Sequence, residues 1–263
     1  TIIVIILSLI STQPRLSYAE AGESAPLFAQ YYSSNIFISY LFPFFVGLLD
    51  GKGSISVDYI SFKKKRIKFF IPFNNLSLNH LLIDLIIKFI GGWKTIERNK
   101  LVWYCTSRTD VKKVLSILDT YPLLTSSKIC QLNFAKSFIN NKIPYNKLQF
   151  NKLRNKKYDN QYDIINNFNN SFILPSYYSF WLSGFIEAKA EFRNKLQFII
   201  SINDDKYIIK SILQYIKSNN KIRGIDKYKV DINNKGDIER IIEHIEKYPL
   251  LGAKRIEYKG WKE

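Results

Sequence analysis

The sequence predicts an α+β fold built from two similar halves, each with the element order αββαββα. The tetrapeptide Tyr121-Pro122-Leu123-Leu124 recurs as Tyr248-Pro249-Leu250-Leu251. Asp110 precedes the first copy at the spacing at which Asp237 precedes the second. In both halves, segments with helical spacing of apolar residues alternate with pairs of short strand-like segments. A repeat with this order of elements indicates a duplicated structural unit.

Local signals place the elements of the first half. Gly91-Gly92 is a common helix stop, Asn99-Lys100 suits the turn of a hairpin, Thr109 is the predicted N-cap of the next helix, and Pro122 ends that helix. The predicted elements are helices over 38–50, 78–90, 110–120 and 126–139 and strands over 54–59, 66–73, 94–98 and 101–106.

The second half repeats the order at shorter length. The predicted elements are helices over 175–187, 204–217 and 237–247, strands over 191–193 and 196–202, and a hairpin of 221–225 with 228–232. The joining segment over 140–170 is rich in Asn and Lys, and its polarity predicts a solvated tether.

The composition favours a polyanionic partner. An apolar fraction of 46% with 15% aromatic residues excludes a disordered chain. The formal net charge of +17 favours nucleic acid first and an anionic membrane surface second. Cys105, Cys130, His80 and His244 are too few for a disulfide framework or a zinc site.

The amino-terminal segment carries an apolar run over 2–10, about half of the ~20 residues that cross a bilayer. We therefore expect no stable membrane insertion. The predicted division of the chain is a leader or linker remnant of an upstream reading frame over 1–37, a first domain over 38–145, an Asn/Lys-rich linker over 146–172 and a second domain over 173–263.

Two nine-residue segments share small residues, apolar residues and an acid at the sixth position. They are Phe45–Gly53 (FVGLLDGKG) and Leu182–Ala190 (LSGFIEAKA). Both resemble the signature of the LAGLIDADG homing endonucleases, which carry one copy in each half. The resemblance covers residues 38–263 and implies a saddle-shaped pair of antiparallel sheets, with the motif helices packed at the central interface.

Close packing of the motif helices requires small side chains, because only these let two backbones approach. In the resembled family the acid at the sixth position has a structural role, hydrogen bonding at this interface. The residues that the resemblance assigns to the motif helices are Gly47, Asp50, Gly51, Gly53, Gly184, Glu187 and Ala188.

The eighth motif position departs from the resembled family. There an acid binds the divalent metal and organises phosphodiester hydrolysis, whereas this chain has Lys52 and Lys189. Hard cations such as magnesium need oxygen ligands, which an ammonium group cannot supply. We therefore assign the protein no catalytic residue, no metal ligand and no cofactor of its own. Either the two lysines neutralise backbone phosphate, or they reflect drift after activity was lost.

Basic residues recur at corresponding turns and hairpins of both halves, as contacts to phosphate require. The resemblance places these hairpins over the bound nucleic acid. The predicted binding residues are Lys63, Lys64, Lys65, Arg66, Lys68, Lys94, Arg98, Lys100, Arg193, Lys195, Lys221, Arg223, Lys227 and Lys229.

A second basic set follows the last helix of the first half and offers a rival RNA surface. Its members are Lys136, Lys142, Lys147, Lys152, Arg154, Lys156 and Lys157. The aromatic residues between them, Tyr145, Phe150, Tyr158 and Tyr162, either stack on unpaired bases or anchor the segment to the body.

Members of the resembled family without cleavage acids are typically RNA maturases encoded in group I introns, as in fungal mitochondria. The resemblance therefore implies that the protein binds a group I intron RNA and stabilises its folded structure in the mitochondrial matrix. The RNA requires magnesium and performs splicing itself, and a second protein splicing factor is compatible with this role. The alternatives are an active DNA-cutting homing endonuclease and a structural RNA-binding protein of an organellar ribosome.

Overall fold

The computed structural model describes residues 34–61, 64–139, 146–193 and 196–263, and every structural statement below refers to these residues. The predicted leader therefore lies outside them up to residue 33. The predicted α+β fold with antiparallel sheets in two halves is confirmed.

The first half contains one four-stranded antiparallel sheet with helices packed on one of its faces. Its helices are α1 (Ser34–Lys52), α2 (Ser77–Phe89), α3 (Arg108–Thr120) and α4 (Ser126–Ile139), and its strands are β1 (Ser54–Ser61), β2 (Lys64–Asn74), β3 (Trp93–Glu97) and β4 (Lys100–Cys105). The strand order is β1-β2-β4-β3. Alternate residues of β2, such as Phe69 and Ile71, are buried against the helices, so Lys68 and Phe70 point to the opposite face. We call that opposite face of each sheet its outer face.

The joining segment is helical, so the prediction of a solvated tether is wrong for most of it. It forms α5 (Lys147–Asn155) and α6 (Gln161–Ser171). The buried ring of Phe150 lies 5.4 Å from the ring of Tyr59, and the ring of Phe168 lies 4.9 Å from that of Tyr207. Aromatic residues thus fasten both helices to the body despite their polar sequence.

The second half repeats the arrangement with a smaller sheet. Its helices are α7 (Tyr178–Lys189), α8 (Lys206–Tyr215), α9 (Lys235–Lys247) and α10 (Lys254–Lys262), and its strands are β5 (Glu191–Arg193), β6 (Gln197–Asn203) and β7 (Lys227–Ile232). The strand order is β5-β6-β7. The strand predicted over 221–225 is reduced to a bridge between Arg223 and Lys229.

Two further details differ from the sequence prediction. The N-cap of α3 is Ser107 and not Thr109, because the hydroxyl of Ser107 accepts a hydrogen bond from the amide of Asp110 at 3.1 Å. Helix α10 was not predicted, because its charged sequence contains Gly260. Its inner side buries Tyr258 and Trp261, and it corresponds to α4 of the first half.

The motif helices α1 and α7 cross at two glycines, one from each half. A Cβ atom added to Gly47 would overlap the carbonyl oxygen of Trp181, and one added to Gly184 would overlap the carbonyl oxygen of Phe44. These pairs are related by the internal repeat. The helices can therefore approach this closely only with glycine at both crossing points.

Reciprocal tyrosine hydrogen bonds join the two halves. The hydroxyl of Tyr40 in α1 donates to the carbonyl of Pro249 at 2.5 Å. The hydroxyl of Tyr177, just before α7, donates to the carbonyl of Pro122 at 2.6 Å. Each half thus binds the repeated Tyr-Pro-Leu-Leu turn of the other, which gives the interface approximate twofold symmetry.

None of the helices within the described residues is both long and apolar enough to pass through a bilayer.

Candidate nucleic-acid interface

The acids at the sixth motif position are buried and hydrogen-bonded. Asp50 accepts hydrogen bonds from the amides of Leu124 and Thr125, from the Thr125 hydroxyl and from the indole of Trp181 in the other half. Glu187 accepts from the amides of Gly252 and Lys254. Burial raises the pKa of both carboxyl groups. Each acid fixes the turn that precedes α4 or α10, which is the structural role that the resemblance implies.

Lys52 ends helix α1 in a largely enclosed position. Its ammonium nitrogen lies 4.0 Å from the ring centroid of Phe73. Burial lowers the pKa of Lys52 to about 8, while the negative charge of Glu187 acts in the opposite direction. The side chain therefore remains mostly charged at neutral pH, although the charged form is disfavoured by its surroundings.

Each motif lysine has a lysine neighbour from the opposite half. Lys254 at the start of α10 lowers the pKa of Lys52 by charge repulsion. Burial lowers the pKa of Lys128 in the first turn of α4, and the charge of Lys189, which ends α7, acts in the same direction. We call Lys52 with Lys254 and Lys189 with Lys128 the two crossed lysine pairs. In each pair the like charges repel, and an acid also lies near one member, Glu187 near Lys52 and Asp50 near Lys128.

Sequence reasoning missed Lys128 and Lys254. A signal was present, because each follows the repeated Tyr-Pro-Leu-Leu turn by three or four residues. The spacing differs by one residue between the copies, and only the fold shows that each lysine meets the motif helix of the other half.

A polar cleft of about 380 Å³ lies beside the pair of Lys189 and Lys128, and Gln131, Gln161 and Asp205 also line it. The buried carboxylate of Asp205 accepts a hydrogen bond from the amide of Ser126 at 3.0 Å. Burial raises the pKa of Asp205 to about 7. At the corresponding place in the other half, the uncharged side chain of Asn79 accepts from the amide of Ala253 at 2.9 Å.

Several predicted binding residues lie on the outer faces of the sheets. Register with β1 and β3 and the alternation of buried residues place these side chains away from the helices. They are Arg66, Lys68, Lys100, Arg193, Lys227 and Lys229.

Two other predicted residues lie on the helix-facing side of the first sheet, which corrects their assignment. Lys94 is in register with the buried Trp103 and forms an ion pair with Asp84 of α2 at 2.6 Å. Lys65 is in register with Tyr59, and its ammonium nitrogen lies 5.6 Å from that ring. Successive side chains of a strand point to opposite faces of the sheet, so strand position determines the face on which each of these charged residues lies.

The remaining predicted binding residues lie in turns and loops or outside the described residues. Arg98 lies in the turn between β3 and β4, Lys221 precedes the bridge at Arg223, and Arg223 pairs with Asp231 at 3.5 Å. Lys63 and Lys195, with the side chain of Lys64, lie outside the described residues.

The second basic set lies mainly on α5. Its exposed members are Lys147, Lys152, Arg154 and Lys156, none of which forms an ion pair with another described residue. Lys136 pairs with Asp119 at 2.6 Å, and the ammonium of Lys157 lies 4.6 Å from the ring of Tyr158. Lys142 and Tyr145 are outside the described residues.

Of the aromatic residues interleaved with this set, Phe150 is buried and anchors α5. Tyr158 is 38% exposed and its hydroxyl accepts a hydrogen bond from Gln131 at 2.9 Å. Tyr162 is 72% exposed.

Comparison with known proteins assigns the family. The model of the family described as LAGLIDADG endonuclease matches residues 45–138 and 178–263, one match in each half. The chain belongs to this family. Both matches contain a motif helix, so the LAGLIDADG signature and the duplicated fold identify the same two units.

Curated relatives are about 30% identical to this LAGLIDADG protein over the aligned segments. A probable intron-encoded endonuclease aI3 of Debaryomyces hansenii is 32% identical over 254 residues, which cover 82% of this chain and 37% of the relative. A protein of the same name in Dictyostelium citrinum is 30% identical over 232 residues, which cover 83% of this chain and 93% of the relative. The chain thus spans little more than a third of the Debaryomyces protein.

Solved homing endonucleases share the fold. The structure of I-SmaMI bound to uncleaved DNA target with calcium ions has a TM-score of 0.67 at 17% identity, and covers 84% of this chain and 89% of that chain. The LAGLIDADG homing endonuclease I-LtrWI bound to target DNA has a TM-score of 0.67 at 22% identity, with coverage of 86% and 89%.

The residues at the motif ends do not fit the divalent metal that the family implies. Both helices end in an ammonium group, and the nearby carboxylates of Asp50 and Glu187 are engaged by backbone amides. Among the residues that the structure describes, no group of three or more His, Cys, Asp or Glu side chains is arranged to hold a metal ion. Hard cations need oxygen ligands, which the two lysines at these helix ends do not provide.

Proposed function

We propose that this LAGLIDADG protein binds nucleic acid across the outer faces of its sheets without cleaving it, and acts as an RNA maturase for a group I intron. One observation carries the proposal: the eighth motif position is lysine in both halves, where two-metal cleavage requires an acid. The loss on both sides removes cleavage of either strand, whereas a single loss would leave a nicking enzyme.

The retained features support a binding role. The net charge of +17 and the cations on both outer faces suit a polyanion. The crossed lysine pairs add positive charge where the two halves meet. A folded intron RNA would retain its own magnesium ions, so the protein needs to contribute none. The proposed location is the mitochondrial matrix, and a second protein splicing factor can share the RNA.

The second candidate is an active homing endonuclease that cuts DNA. It is favoured by the names of the curated relatives, which are called probable intron-encoded endonucleases, and by the DNA bound to the structural neighbours. It requires metal ligands other than residues 52 and 189 in this chain.

One pair of assays separates the two candidates. The protein is incubated with magnesium and a DNA duplex that spans the uninterrupted exon junction, and in parallel with the precursor RNA at low magnesium. We expect intact DNA and increased splicing of the RNA. Cutting of the duplex by the wild-type chain would contradict the loss of cleavage, and unchanged splicing would contradict the maturase role.

The double variant Lys52→Asp/Lys189→Asp provides the matched control for cleavage. If the missing acids alone prevent cutting, this variant cuts the same duplex with magnesium. Its failure to do so, with binding retained, would show that other parts of the cleavage site have also been lost.

A further inference from the structure

A row of aromatic side chains crosses the outer face of the first sheet. Phe70 of β2 is in register with Tyr104 of β4, which is in register with Trp93 of β3. The ring of Tyr104 lies 5.9 Å from that of Phe70 and 5.0 Å from that of Trp93. The ammonium of Lys68 lies 4.3 Å from the Tyr104 ring. We call Phe70, Tyr104 and Trp93 the aromatic row.

One end of the aromatic row, Trp93, is exposed, the other end, Phe70, is half-buried, and its centre is fixed. Trp93 is a large apolar residue on the edge strand β3, and it is 48% exposed. Tyr104 is only 7% exposed, and its hydroxyl donates to Glu97 at 3.0 Å. The row is thus a preorganised platform whose exposed ring surface is provided by Trp93 and Phe70.

Among the described residues, the second sheet has no such row at the corresponding positions. Ile199 of β6 and Asp231 of β7, which are in register, stand where the first sheet has Phe70 and Tyr104, and the segment that corresponds to β3 is reduced to the bridge between Arg223 and Lys229. Asp231 is paired with Lys229 at 3.0 Å. Contacts to the two similar arms of a duplex do not explain why one sheet presents aromatic rings in register and the other does not.

We propose that the aromatic row stacks on unpaired nucleobases, so that the first sheet binds a single-stranded segment while the second binds paired backbone. Every base has a flat π face, and aromatic side chains on a sheet recognise it without hydrogen bonds to base edges. Lys68 and Arg66, on the same face, supply positive charge for the adjoining phosphates. This inference rests on the proposed nucleic-acid binding, and folded RNA and opened DNA are the two sources of such bases.

Intrinsic fluorescence gives a direct test. The chain has four tryptophans, and three of them, Trp103, Trp181 and Trp261, are buried at 0%, 0% and 8% exposure. Stacking of a base on Trp93 should therefore quench part of the tryptophan fluorescence of the wild-type protein. The Trp93→Phe variant should not show this quenching. The probes are single strands of RNA and of DNA of about twelve nucleotides and a blunt duplex of equal charge, at fixed salt.

We expect both single strands to quench the wild-type emission more strongly than the duplex does. Trp93→Ala should weaken single-strand binding roughly 5- to 100-fold, whereas Trp93→Phe should retain most of it. Stronger quenching by the RNA strand than by the DNA strand would identify folded RNA as the source of the unpaired bases. The control Lys229→Gln removes an outer-face cation of the second sheet and should weaken duplex binding while leaving the quench by single strands.

Three results would overturn the proposal: equal quenching by the duplex, unchanged single-strand affinity in Trp93→Ala, or self-association that Trp93→Ala abolishes. The last would assign the row to a protein partner. Because short single strands are the probes, a failure of splicing would contradict the maturase role without affecting this test. Conversely, any of the three results above would contradict stacking and leave the maturase role to the splicing assay.

Discussion

Lys52 carries a positive charge in an enclosed position beside the Phe73 ring. Enclosing this charge lowers the stability of the folded protein. The pKa of Lys52, lowered to about 8, shows that the surroundings disfavour the charged form. A residue that opposes folding in this way points to a binding role, because perturbed groups concentrate at functional sites. If position 52 had only drifted after the loss of activity, an uncharged side chain would be expected there as often as a lysine.

Lys52→Met tests this cost directly. The uncharged chain fills similar space near Phe73, so we expect the free energy of unfolding at neutral pH to rise by about 1–3 kcal/mol. Affinity for nucleic acid should fall at the same time. Urea unfolding and binding titrations measure the two effects, with Lys235→Met, at a side chain 91% exposed, as the control. A loss of stability would mean that attraction to Glu187 outweighs burial.

Asp205 and Asn79 allow a comparison between the halves, because both accept from the first turn of a helix in the opposite half. Burial raises the pKa of Asp205 to about 7, so the folded protein binds more protons than the unfolded chain between the ordinary aspartate pKa and that value. Its contribution to stability is thus present in acid and is lost as the pH rises through 7.

Asp205→Asn copies the arrangement of the other half. We expect it to raise the free energy of unfolding by about 1–3 kcal/mol at about pH 8 and to have little effect at about pH 4. Thermal unfolding across this pH range measures the difference, with the exposed Asp159→Asn as the control. A gain that did not vary with pH would rule out titration of Asp205 as its cause.

At the scale of elements, the motif helices and the repeated turns determine how the halves meet. Tyr40→Phe or Tyr177→Phe deprives a proline carbonyl of its hydrogen-bond donor. Each should lower the free energy of unfolding by about 1–2 kcal/mol, as for other hydrogen bonds in enclosed sites. Denaturant unfolding measures this, with Tyr162→Phe, at 72% exposure, as the comparison. No change in either variant would show that water reaches both carbonyls.

The elements with strong apolar periodicity were predicted correctly, and the polar ones were not. Strand β2 buries alternate residues, and helix α3 buries residues three or four positions apart, so their patterns are clear in the sequence. Helices α5 and α10 owe their positions to a few aromatic residues, such as Phe150 and Trp261, within otherwise charged segments. Local patterns do not reveal such tertiary anchors.

At the scale of the whole molecule, two basic surfaces compete for the nucleic acid. We expect the triple variant Lys68→Gln/Lys227→Gln/Lys229→Gln on the outer faces to reduce the slope of log affinity against log salt by about 2–3, because each lost phosphate contact contributes about 0.7–0.9. The matched variant Lys152→Gln/Arg154→Gln/Lys156→Gln, on α5 and at the residue that follows it, should leave the slope almost unchanged. The opposite result would place the RNA on the joining helices.

The candidate site was only partly predictable, because it is assembled across the two halves. The motif identified Lys52 and Lys189 by position, but their partners Lys254 and Lys128 lie far away in sequence. Aromatic residues of β2, β3 and β4 form a row only once the strand register is known. Sequence patterns thus supplied the centre of the site, and the fold supplied its neighbours.

Because the outer faces of the two sheets differ, the protein should bind its target in one orientation. An assembly of two identical chains must present the same face twice, and so it reads a palindrome and can bind it in either of two equivalent orientations. Here the duplicated units share one chain, and each has been free to change alone. With an aromatic row on only one of the two sides, only one orientation on a target is correct, and that target needs no symmetry of its own.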